Sequence, residues 1–195
     1  LMRPKQWVKN TFVLAPLMFS GQFLNFVAIE NVLLSAIFFC IASSIVYVLN
    51  DLNDIERDRA HPTKKHRRPL ASGTISAHQA QFLMGGLFAL LMLGWLVVPK
   101  PMLVIMVYVA LNIAYTYYLK HQPVLDIFTI ASGFVLRVYA GAVALTVPVS
   151  GWMFVSTFCL ALYLAAIKRR QELEQSGADG RAVLEKYSVS LVDKY

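Results

Sequence analysis

Tyr47, Asn50, Asp51, Asp54 and Asp58 stand at offsets 0, 3, 4, 7 and 11 along the chain, a spacing that puts them on one face of a helix. Three carboxylates on one stripe repel each other, and beside a membrane that is costly unless a cation neutralises them. The all-oxygen set Asn50, Asp51, Asp54 and Asp58 suits a magnesium ion, Mg2+, holding a substrate diphosphate, with the three aspartates as the catalytic carboxylates. The plainer alternative is a solvated acidic helix end. Directly after the stripe come Arg59, His61, Lys64, Lys65, His66, Arg67 and Arg68. Lysines and bidentate arginines in that place suit further phosphate groups of the same ligand. The same cations also anchor a loop to anionic head groups.

Other polar residues interrupt apolar runs. Arg137 lies in the middle of one, where a charge costs at least a few kcal/mol, so it must face a polar cavity or a partner. It is either a phosphate-binding arginine or a snorkelling one in a small-residue seam with Gly133 and Gly141. Asp126 shares its helical face but lies about 16 Å away along a straight helix, too far for a direct pair. Tyr108, Asn112 and Tyr115 line one face of another run, with Lys120 just beyond it. After the last apolar run, Lys168, Arg169 and Arg170 point in different directions on a helix, as phosphate contacts or as membrane anchors.

The elements that must position these residues are read from composition. Of 195 residues, 57% are hydrophobic and 15% charged, and the mean hydropathy is +0.56. That profile excludes a soluble globule, and the 12% aromatic content excludes disorder. Two cysteines, Cys40 and Cys159, both inside apolar runs, make no disulfide scaffold. A net charge of +7 would point to nucleic acid in a soluble protein. Here the cations flank apolar stretches, which points to membrane and phosphate and not to nucleic acid. Six runs approach the roughly 20 residues that a bilayer span requires: Thr11–Ala28, Asn31–Leu49, His78–Val98, Met102–Leu119, Val124–Val147 and Trp152–Ile167. The fold class is therefore all-α, a polytopic transmembrane helix bundle. With these spans every lysine and arginine except Lys100 and Arg137 falls on one side. The N-terminus and the site are thus expected on the cytoplasmic face of the inner (plasma) membrane.

The run Asn50-Asp51-Leu52-Asn53-Asp54-Ile55-Glu56-Arg57-Asp58 resembles the NDxxDxxxD motif of the UbiA superfamily of intramembrane prenyltransferases, and the following HPTKKHRRPLASG looks like that family's continuation. The opening Arg3-Pro4-Lys5-Gln6-Trp7-Val8-Lys9-Asn10, with Leu125-Asp126, Gly133 to Arg137 and Ala140-Gly141, is similar to the branch that transfers phosphoribosyl groups to decaprenyl phosphate. The resemblance covers essentially the whole chain. It implies a nine-span fold of which residues 1–195 are a single transmembrane domain lacking the C-terminal spans, with polar cytoplasmic loops at 50–77 and 168–195 forming the site. It further implies Mg2+-dependent transfer from phosphoribosyl diphosphate to a polyprenyl phosphate in the lipid bilayer. Lys9, Asn10, Arg59, Lys64, Lys65, Arg67, Arg68, Tyr115, Lys120, Asp126, Arg137, Lys168 and Arg169 are then expected to bind substrate, Lys9 by gripping the donor. The chain departs from the superfamily in two places: Tyr115 and Lys120 are five apart where a YxxxK element is usual, and Lys168-Arg169-Arg170 replaces a second acidic motif. Two other readings compete: prenyl transfer from a polyprenyl diphosphate to an aromatic acceptor, and a cation-coupled transporter.

Overall fold

The computed structural model describes residues 1–61, 64–122 and 124–176, with the backbone alone for Lys64, His121 and residues 173–176. All regular structure among them is helical. A 3-10 helix, Pro4–Leu14, opens the chain, followed by α1 (Ala15–Phe19), α2 (Phe26–Asn53), α3 (Ile55–Ala60) and α4 (Lys64–Arg67). Then come α5 (Ala77–Met92), α6 (Gly94–Val97), α7 (Pro99–Tyr117), a 3-10 turn at Leu119–His121, α8 (Leu125–Ala144) and α9 (Gly151–Ser176).

Among the described residues five helical stretches are long and apolar enough to cross a membrane: Phe26–Asn53, Ala77–Val97, Pro99–Tyr117, Leu125–Ala144 and Gly151–Glu172. The span expected over Thr11–Ala28 is instead broken. Pro16 offers no backbone N–H, Gly21 turns the chain at φ +70°, and Asn25 starts a new helix by accepting from the amides of Val27 and Ala28 at 3.1 and 3.3 Å. Helix signals also set α5, where Ser76 and Gln79 form a reciprocal capping box, and α7, which begins with Pro99.

Two helices carry the centre. In α2 and α8, 56% of the most apolar stretch is buried, against 11% in α9. α2 packs on α5, α7 and α8, while α8 packs on α7, α9 and the N-terminal 3-10 helix. Val32, Phe39, Ala42, Leu91, Met102 and Ile105 fill the space between them.

Two further expectations change. The acidic stripe does not lie on one unbroken helix: Asp54 closes α2 and opens α3 with φ −101° and ψ 10°. Backbone bonds nevertheless continue across it, from the Asp54 amide to Asn50 and from the Asp58 amide to Asp54. The polar segments expected as loops are largely helical where described. Segment 50–77 contains α3 and α4, and α9 runs on through residue 168 to Ser176 because Arg169 is held inside the bundle. Residues 177–195 of the second segment lie outside the described residues.

Candidate active site

The acids of the stripe are each paired with a cation from another segment. Asp51, 3% exposed, is bonded by Arg3 from the chain's start and by Arg68 from beyond α4. The same Arg68 nitrogen, Nη1, reaches Asp58 Oδ2 at 3.1 Å. Asp54 receives Lys120 Nζ at 2.7 Å and Asn50 Nδ2 at 3.2 Å. Arg3 also lies over the ring of Tyr47, 5.1 Å from its centroid. The structure thus joins Asp51 and Asp58 through Arg68, and Asn50 and Lys120 on Asp54, in two bonded sets at the end of α2.

Whether these sets suit a divalent cation follows from their donors. They are hard oxygens, and a positively charged nitrogen of Arg68 bridges two of the carboxylates. Among the described residues no three His, Cys, Asp or Glu side chains gather tightly enough to hold a metal unaided. Magnesium commonly takes one or two carboxylates and completes its shell with substrate phosphate and water, so the donor set fits a metal that arrives with its substrate.

A second polar centre lies deeper. Arg137, 5% exposed, donates from Nε to Asn10 Oδ1 at 2.9 Å, from Nη1 to the Gly133 carbonyl at 2.7 Å and from Nη2 to the Tyr108 hydroxyl at 3.2 Å. The rings of Tyr108, Phe39 and Phe134 surround the guanidinium at 4.9 to 5.2 Å. Asn10 passes the contact to α2, donating to Ser43 Oγ at 3.1 Å and to Cys40 Sγ, and Trp7 Nε1 donates to Ser44 Oγ at 3.1 Å. These bonds dock the 3-10 helix between α2 and α8. Gly141 permits the close approach, because a Cβ there would come 1.9 Å from the Val13 carbonyl oxygen.

Asp126 belongs to neither centre. Fully buried, it holds Arg169 from α9 through two guanidinium nitrogens, with Nη2 to Oδ1 at 3.0 Å, and accepts from the Tyr115 hydroxyl at 2.6 Å. Arg169 also reaches Glu172 at 2.6 Å. The Tyr115 hydroxyl therefore serves Asp126 while Lys120 serves Asp54, so the five-residue spacing delivers the two side chains to different acids. Arg59, Lys65, Arg67, Lys168 and Arg170 are exposed at the same end, and the side chain of Lys64 lies outside the described residues. Lys9 is half-buried, and burial pushes its ammonium down to about 8, with Lys168, Arg137 and Arg3 adding to the shift.

Arg3, Ser43 and Glu172 are the partners that sequence reasoning leaves out. Arg3 reaches an acid 48 positions away, and its sole local signal is its place in the opening basic run beside Pro4.

Apolar helices around a core, with a cluster of acids and bases at one end, define an integral membrane protein built to hold charged groups at the membrane edge. The chain belongs to the UbiA prenyltransferase family, whose profile matches residues 11–186. It is 41% identical over 197 residues to a decaprenyl-phosphate phosphoribosyltransferase of Mycolicibacterium smegmatis, covering 97% of this chain and 62% of that protein. It is 38% identical over 195 residues to the protein of that name from Mycobacterium tuberculosis, covering 96% and 64%. The chain thus spans a little over three-fifths of these relatives. A UbiA homolog from Archaeoglobus fulgidus, solved bound to DMAPP and Mg2+, superposes with a TM-score of 0.78 at 21% identity, over 99% of this chain and 72% of that one. That likeness is one of fold.

Proposed function

We propose that this chain carries the reaction centre of a transferase that moves a 5-phosphoribosyl group from phosphoribosyl diphosphate to a polyprenyl phosphate in the bilayer. The observation that carries the reading is the pairing of Asp51, Asp54 and Asp58 with Arg3, Arg68 and Lys120. Acids and bases alternating at contact distance suit a ligand that brings both a metal and several phosphates. A sugar with a diphosphate at one end and a monophosphate at the other is such a ligand. The names of the relatives support the same assignment.

Asn50, Asp51, Asp54 and Asp58 are the residues that would hold magnesium, which when bound supplies charge neutralisation to the departing diphosphate. Arg3, Arg68 and Lys120 pair with these carboxylates and would be the cations that meet the incoming diphosphate. Arg59, Lys65 and Arg67 are free to reach the sugar's own phosphate. The acceptor phosphate is already an anion and attacks the anomeric carbon without a general base, so the protein's task is orientation and charge placement. Attack opposite the leaving group inverts that carbon. In this reading the site opens to the cytoplasm, as the clustering of cations at one end supports.

The test uses the protein in lipid nanodiscs with two pairs of substrates: labelled phosphoribosyl diphosphate with decaprenyl phosphate, and a prenyl diphosphate with an aromatic acceptor. Magnesium-dependent transfer within the first pair is expected, falling about a hundredfold or more in Asp54→Asn, which keeps the side-chain shape and removes the charge. Transfer confined to the second pair would replace this reading with prenyl transfer.

A further inference from the structure

Two grooves of about 280 Å³ flank α9. One, against α8, is lined by Ile127, Phe128, Leu162 and Tyr163 among others and has no charged side chain. The other lies between α9, Phe134 of α8 and the N-terminal 3-10 helix, where Val8, Phe12, Ala161 and Leu164 form apolar walls and Lys9 is the one charged member. Val8 is 67% exposed, and Leu160 and Leu164 are each 51% exposed, so the apolar walls of this second groove are open at the surface of α9 and the 3-10 helix.

We propose that the groove beside Lys9 seats the phosphate end of the isoprenoid acceptor lipid, with Lys9 as its phosphate-binding cation. Three observations carry the assignment. Arg3, Arg68 and Lys120 are committed to the acidic stripe, whereas Lys9 has no carboxylate within ion-pair distance among the described residues. Lys168, Arg137 and Arg3 are its charged neighbours, so the mouth of the groove is electropositive. Finally, Arg3, six residues earlier and capping the start of the docked 3-10 helix, touches Asp51. The N-terminal segment thus presents a cation to each of two neighbouring sites, the donor's at the stripe and the lipid's at the groove. An anion that brings its own apolar tail matches a lysine whose stem lies along an apolar wall.

The proposal takes its choice of acceptor from the transferase reading, but its test needs no turnover. Binding of decaprenyl phosphate to the protein in nanodiscs is measured without donor, alongside decaprenol and phosphatidylglycerol, in wild type, Lys9→Gln and Leu160→Trp. Lys9→Gln is expected to weaken decaprenyl phosphate about tenfold or more, leaving decaprenol and the affinity for phosphoribosyl diphosphate unchanged. Leu160→Trp, at a half-exposed wall position, is expected to weaken both isoprenoids. Unchanged lipid affinity in Lys9→Gln, a loss of donor affinity instead, or equal competition by phosphatidylglycerol would each overturn the assignment. Failure of the transfer reaction with the lipid result intact would overturn the transferase reading alone.

Discussion

Among the described residues two arginines are buried, and their surroundings are opposites. Arg169 sits between Asp126 and Glu172, so its charge is cancelled where it stands. Arg137 is held by an amide, a carbonyl, a phenol and three aromatic rings. Each of its contacts satisfies a donor or a face of the guanidinium, and none supplies a full negative charge. The first arrangement is a closed ion pair that ties α9 to α8. The second leaves a positive charge beside the 3-10 helix that carries Lys9 and that Arg3 caps. Burial of an arginine therefore has two uses here, one that ends at packing and one that prepares a place for an anion.

The largest effect is expected where neutralisation is broken. Arg169→Met strands the Asp126 carboxylate in the core with the Tyr115 hydroxyl as its remaining partner, which costs about 3 to 5 kcal/mol. Thermal unfolding in detergent should show the loss, and Asp126→Leu placed on top should recover most of it, because no charge is then stranded. A single Arg169→Met as stable as wild type would erase the distinction between the two arginines.

Arg137→Met comes next. It strands neutral groups, the Asn10 amide oxygen, the Gly133 carbonyl and the Tyr108 hydroxyl, at about 1 to 3 kcal/mol. Its stability loss should stay below that of Arg169→Met while turnover falls about tenfold or more, since the segment bearing Lys9 and Arg3 loses its clamp. A more thermostable and fully active Arg137→Met would reduce Arg137 to a packing burden.

These contrasts also mark what could be read from the chain. The stripe of Asp51, Asp54 and Asp58 with the cations after it was legible because residue spacing and local order are sequence properties. So were the later five apolar helices, since their length and hydropathy are local. The partners were not. Asp126 and Arg169 are 43 residues apart, and a run of three cations reads as an anchor until the helix rotation that turns Arg169 inward is known. The first expected span is not one continuous helix for a related reason: apolar content said span, while Pro16 and Gly21 broke the helix and long-range bonds from Trp7 and Asn10 settled its place.

A smaller effect is expected at Gly141, where the 3-10 helix meets α8. Gly141→Leu forces the Val13 carbonyl away and should cost about 1 to 3 kcal/mol through overpacking. It also draws Asn10 off Arg137. With Trp95 and Trp152 replaced by Phe, the emission of Trp7 should shift to the red as its environment opens. Unchanged emission would mean that α8 yields instead and that the clamp is not set by this contact.

The smallest effect is a titration, and it discriminates most finely between the two arginines. Lys9 in the free protein titrates near 8, displaced from 10.5 by burial first and then by Lys168, Arg137 and Arg3, with Arg169 not among the causes. Below about pH 8 the ammonium is charged, so affinity for decaprenyl phosphate should be level just below that value and fall as the pH rises through it. Stability runs the other way. Between about 8 and 10.5 the unfolded chain holds the proton that folded Lys9 has lost, so folding is favoured as pH rises across that window. Removing the charge of Arg137 while keeping a hydrogen-bonding side chain, as in Arg137→Gln, should move the binding inflection upward by a fraction of a pH unit. Arg169→Lys, whose charge stays beside Asp126, should leave it in place. If both variants move the inflection alike, the field of Arg169 reaches Lys9 despite its carboxylate partner, and the division between a closed pair and an open charge does not hold.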